Sequence, residues 1–94
     1  MSNATALAGS TNPFTIDVEG TFDRQAAWRL GLQFLEARTS TIHVDFHRVR
    51  LLEDLALPVL ADALRAAKPK RVIIRGMSRH QELILRYLGV DSDR

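Results

Sequence analysis

Between residues 14 and 90 the chain passes three times from a short β-type run into an apolar pattern of helical period, and this alternation constrains the fold more than any other feature. In FTIDVEG, residues 14–20, Phe14, Ile16 and Val18 fall on one face and Thr15, Asp17 and Glu19 on the other, the pattern of a strand with one wet side. DRQAAWRLGLQFLEAR, residues 23–38, then repeats apolar residues at Ala27, Leu30 and Phe34 and at Trp28, Leu32 and Leu35, spacings of three and four that make a broad helical stripe. On that stripe Trp28 is expected in the core. Asp23 is placed to cap the helix by accepting an amide hydrogen of its first turn.

TIHVDF, residues 41–46, is the second strand, with Ile42, Val44 and Phe46 on one face. A second helix follows in LEDLALPVLADALRAA, residues 52–67. Pro58 lacks an amide hydrogen, so it fits in or near the first turn and sets the helix start close to Asp54. RVIIRG, residues 71–76, is too short and too β-branched for a helix and is expected as a strand buried on both faces. In SRHQELILRYLG, residues 78–89, Ser78 and Gln81 form a capping box and Gly89 ends the helix. The order β-α-β-α-β-α predicts an α/β fold with a mostly parallel sheet, right-handed crossovers and helices packed on it. Residues 1–13 are expected as a flexible lead or a short additional N-terminal edge strand, 14–90 as a single domain and 91–94 as a tail.

At 94 residues the chain has room for one small domain, whose thin stability disfavours a large buried catalytic pocket. It has no cysteine, which excludes disulfides, zinc-thiolate sites and thiol nucleophiles and suits a reducing compartment. No signal-like start and no apolar run of membrane-spanning length occur, so a cytoplasmic protein without membrane insertion is expected. Net charge is +2, with basic residues spread among the acids, whereas a nucleic-acid binder concentrates them on one face. KPKR, residues 68–71, is expected as a solvated connector.

His43, Asp45 and His47 alternate on one side of the second strand and raise the question of a metal. At about 3.3 Å per residue the two histidines stand about 13 Å apart, too far for one ion without a bend. The remaining histidine, His80, is isolated. There is no G-x-S-x-G elbow and no glycine-rich phosphate loop. Glu53 and Asp54 are sequence neighbours pointing in different directions, not an acid/base pair across a substrate. The residues therefore predict no enzyme, no metal and no cofactor, with a metal-binding protein or enzyme using His43, Asp45 and His47 as the less favoured alternative. By spacing alone Asp54 is a capping residue stabilised by the helix dipole, at a place where open α/β sheets also present ligand or partner sites.

Asp45-Phe46-His47-Arg48-Val49-Arg50-Leu51-Leu52-Glu53-Asp54-Leu55-Ala56-Leu57 resembles the D-L-S-x-V-x-F-I-D-S-S-G-L pattern of the STAS domain, the fold shared by bacterial anti-sigma factor antagonists and the cytoplasmic tails of sulfate transporters. Gly20-Thr21-Phe22-Asp23 stands where family members commonly show G-E-L-D. Ser78 and Gly89-Val90 resemble the serine and the Gly-Leu pair, eleven residues on, that close the third helix. The resemblance covers residues 14–90 and implies a non-catalytic interaction module of a bacterial regulatory complex. It would dock through residues 48–57 onto an anti-sigma, kinase-like protein, with Asp54, Glu53, Leu55, Arg48 and Arg50 as contacts and Asp23 beside them. The alternative is a small accessory subunit on the ATPase of an ABC-type lipid transporter.

The resemblance also implies what is changed. Asp54 occupies the position of the serine that is phosphorylated in anti-sigma factor antagonists, Leu55 replaces the second serine and Ala56 the glycine. Asp54 is then a permanent, partial imitation of the modified state, with one charge in place of about two. Many family members continue with a further strand and helix after the third helix. Without them an edge or apolar patch is left open, and a homodimer is one way to cover it.

Overall fold

The alternation resolves into β1 (Phe14–Phe22), α1 (Arg24–Glu36), β2 (Thr41–Leu52), α2 (Ala56–Ala67), β3 (Arg71–Arg75) and α3 (Arg79–Tyr87) in a computed structural model that describes residues 14–90. The expected lead or edge strand at 1–13 and the tail at 91–94 lie outside the described residues. The sheet has the order β1-β2-β3 with both pairs parallel, so the β-α-β-α-β-α reading of the sequence is met. Both crossovers step the same way across the sheet, and right-handed crossovers then set α1 and α2 on one face.

That face carries the core. Ile16, Ile42, Val44, Phe46, Val72 and Ile74 from the strands pack with Ala27, Leu30 and Phe34 of α1 and Leu57, Leu60 and Leu64 of α2 in one cluster. The Phe22 and Phe46 rings meet edge to face within it, their centroids 4.9 Å apart. Ile73 is also buried but stands outside the cluster, as alternation along β3 requires.

β2 is longer than expected, running on to Leu52 instead of stopping at Phe46. Opposite β1 the register passes from Asp17↔Asp45 to Glu19↔Arg48, and again from Gly20↔Val49 to Thr21↔Leu51, so β2 takes an extra residue at two bulges. Each bulge resets the alternation. Phe46, Val49 and Leu52, three apart in sequence, therefore all pack against the core, and the broken period-two pattern resembles the end of a strand. At the first bulge the His47 amide donates to Asp45 Oδ1 at 2.8 Å. Gly76, just past β3, has φ +85°, and a Cβ there would lie 2.5 Å from the His47 nitrogen, so glycine is what lets the chain pass over the bulge.

α1 begins on its expected cap, with Asp23 Oδ1 accepting the Ala26 amide hydrogen at 2.8 Å. Trp28 is not in the core: it is 61 % exposed. Two stripes of equal spacing overlap on α1, and the sheet takes the one formed by Ala27, Leu30 and Phe34. The close approach of Gly31 to Ala63 of α2, where a glycine Cβ would lie 3.0 Å from the alanine Cβ, fixes this orientation and leaves Trp28, Leu32 and Leu35 outside.

The expected connector at 68–71 also has a structural role. Lys70 Nζ donates to the carbonyls of Phe34 at 2.6 Å and Ala37 at 2.7 Å, closing the end of α1. α3 opens on the expected capping box, with the Gln81 amide donating to Ser78 Oγ at 3.1 Å and the Ser78 amide to Gln81 Oε1 at 3.0 Å.

Candidate functional site

Because β1 and β2 are parallel neighbours, both leave the sheet at the same end. The Glu53 amide donates to the Phe22 carbonyl at 3.0 Å and ties the two exits together. Asp23 at the start of α1 and Glu53 before α2 consequently border one open groove of about 580 Å³, together with Arg24, Gln25, Trp28 and Val59. An acidic corner thus forms from two segments thirty residues apart in sequence.

The start of α2 differs from the capping arrangement expected of Asp54. The Ala56 amide donates to the Glu53 carbonyl at 2.9 Å, the Leu57 amide to the Asp54 carbonyl at 3.1 Å, and Pro58 has no amide hydrogen. Backbone carbonyls have taken the first amides, the backbone is already helical at Leu55, and no side-chain cap forms. The Asp54 side chain is therefore exposed and not used by the helix. Leu55 follows at 64 % exposure, and Leu51, on the strand end leading into the corner, is 56 % exposed.

Of the six residues expected to make contacts, Asp23, Glu53, Asp54 and Leu55 come together at this corner. Arg48 and Arg50 do not belong to its loop: the extension of β2 puts them back along the strand. Arg48 reaches Glu19 only at 4.0 Å between exposed side chains, a pair of little energetic weight. Arg50 is the exposed residue at the second bulge. Trp28 and Val59, which border the groove, were not among the expected contacts. The signal for Trp28 was the width of the apolar stripe on α1, too broad for one buried face.

The first bulge also decides the fate of the histidine ridge. It brings His47 Nδ1 to 2.6 Å from Asp45 Oδ1, the bend that a regular strand does not provide. The Asp45 carboxyl is held below the usual aspartate range, chiefly by the hydrogen bond from the His47 amide; partial desolvation opposes this, and the His47 ring and the charges of His47 and Arg48 add to it. Among the described residues no three His, Asp or Glu side chains are grouped to hold a metal ion. His80 is exposed on α3.

Among the described residues no helix is long and apolar enough to cross a membrane. No curated protein and no solved structure matches the chain. A family model does, described as "Mlab, STAS domain", over residues 5–92, a span that takes in every described strand and helix. Domains of this family are generally non-catalytic interaction modules. A parallel three-stranded sheet in the order found here, an open corner at its carboxyl end and a family match across nearly the whole chain lead to one conclusion: the protein belongs to the STAS domain family and carries the general character of a regulatory or interaction module.

Proposed function

We propose that the corner formed by Asp23, Glu53, Asp54 and Leu55 docks a partner protein and that the chain is a non-catalytic member of a regulatory complex. One observation carries this reading: the Asp54 carboxylate and the Leu55 side chain are both exposed and both unused by the helix they precede. Exposed apolar and charged groups held on rigid backbone are what a protein interface needs at its centre and rim.

Asp54 stands at the position that resembles the phosphorylated serine of anti-sigma factor antagonists. Phosphoserine brings about −1.5 to −2 charges and three acceptor oxygens, whereas aspartate brings one charge and two oxygens on a shorter stem. With an anti-sigma, kinase-like partner, docking is then weakened and not switched at this residue. Calorimetric titration of Asp54→Ser against such a partner is expected to show tighter binding, and an unchanged affinity removes the idea that Asp54 imitates the modified serine.

A second reading, a permanent accessory subunit on the ATPase of an ABC-type lipid transporter, draws support from the same corner. Leu51 and Leu55 are exposed and residues 53–56 hold no hydroxyl, a composition suited to a lasting contact more than to a phosphorylation-gated one. Co-purification from the native cell, with identification of the protein retained by the wild type and lost by Leu55→Asp, separates the two. If wild type and Leu55→Asp retain the same proteins, the corner is not the docking surface.

A further inference from the structure

α1 carries a second apolar surface that the docking corner leaves over. Trp28, Leu32 and Leu35 are 61, 40 and 58 % exposed. They lie at i, i+4 and i+7, a ridge of about 10 Å at 1.5 Å rise per residue. At 3.6 residues per turn Leu32 is the middle of this face. Trp28 and Leu35 take the flank towards α2, where Trp28 shares a groove with Val59. Arg29 and Glu36 take the opposite flank, where Glu36 borders a hollow with Phe14 of β1. Each flanking pair is seven residues apart and centred on the turn of Leu32. Arg29 and Glu36 are exposed, and neither has an ion pair among the described residues.

We propose that a second copy of this chain covers the ridge, its α1 antiparallel to the first across a two-fold axis beside Leu32. Such an axis reverses direction along the helix but keeps each flank facing its own kind. Leu32 then meets Leu32 of the second copy, Trp28 meets Leu35, and Arg29 meets Glu36, each contact occurring twice by symmetry. A face bearing an aromatic–aliphatic pair on one flank and an opposite-charge pair on the other, both centred on the same residue, is complementary to itself. A parallel pair about an axis along the helices would exchange the flanks, setting Arg29 and Glu36 against Trp28 and Leu35 of the second copy and leaving the charges unpaired. Glu36 beside the ridge disfavours an anionic lipid surface as the occupant. The surface uses none of Asp23, Glu53, Asp54 or Leu55, and of its residues Trp28 also borders the groove beside Asp23 and Glu53. The self-contact rests on α1 alone and stands whether or not the corner docks a partner.

The test is sedimentation velocity of the full chain over a concentration series, at low and moderate salt. The mass is expected to rise from the 10.6 kDa of one chain to twice that value. Emission of Trp28, the sole tryptophan, is expected to move to shorter wavelength with the same midpoint. Arg29→Glu and Glu36→Arg, both at exposed positions, should each weaken self-association about tenfold or more through repulsion at two places. An equimolar mixture of the two variants should restore it, because every reversed group then meets an opposite charge. A chain that stays at the mass of one copy, single variants that associate like the wild type, or a mixture no tighter than its components would each overturn the proposal. Leu55→Asp should leave the equilibrium unchanged, which separates this contact from the docking corner.

Discussion

Lys70 Nζ donates to the Phe34 carbonyl at 2.6 Å, joining the loop before β3 to the last turn of α1 across thirty-six residues of chain. It also reaches the Ala37 carbonyl at 2.7 Å. The last carbonyls of a helix have no partner within it and carry the negative end of its dipole, so an ammonium group there satisfies both needs. Lys70→Met keeps the stem and removes the charge. It is expected to cost about 1 to 2 kcal/mol, read as a lower urea midpoint at unchanged slope.

Gly76 faces the bulge at His47. With φ +85° and no space for a Cβ beside the His47 nitrogen, Gly76→Ala combines backbone strain with a clash against backbone that has no flexible end to give way. A loss of about 2 kcal/mol or more is expected in the same denaturation experiment. The amide of His47 should exchange faster with solvent in the variant as the bulge loosens.

The Asp45–His47 pair sets an acid limit. The folded-state pKa of Asp45 is depressed, so its contribution to stability is present above the unfolded-state value, about 3.9, and is lost as pH falls through the folded value. Stability should therefore decline on acidification below about pH 4, and Asp45→Asn should flatten that part of the profile. Carboxyl titration by NMR should find Asp45 below the ordinary aspartate range.

Leu55 and Leu57 separate docking from folding. Leu55 is 64 % exposed and Leu57 fully buried, though only two residues apart. Leu55→Asp is expected to change stability by no more than about 0.5 kcal/mol while abolishing capture of the partner. Leu57→Ala should cost about 2 to 5 kcal/mol. Parallel thermal scans and binding assays on the two variants check both expectations.

Much of the fold was legible in local pattern. Ile42, Val44 and Phe46 alternate as a strand should, Ser78 and Gln81 cap α3, and Pro58 falls in the first turn of α2. What was not legible depends on distant partners. The two stripes of α1 are equally spaced, and the contact of Gly31 with Ala63 decides between them. The bulges in β2 hide its second half because they break the very alternation by which a strand is recognised. Asp54 looked like a cap because an acid before a helix normally is one; Pro58 and the two preceding carbonyls leave no amide in need of it. The acidic corner was half visible, since Glu53, Asp54 and Leu55 are contiguous, but only parallel pairing of β1 with β2 brings Asp23 alongside.

The bond from the Glu53 amide to the Phe22 carbonyl has a thermodynamic consequence for recognition. A loop already fastened to its neighbour loses little conformational freedom when a visitor arrives, so the entropic cost of association falls mainly on the visitor. Encounter then proceeds nearly as rigid-body collision, and substitutions at the corner should alter the lifetime of the complex far more than its rate of formation.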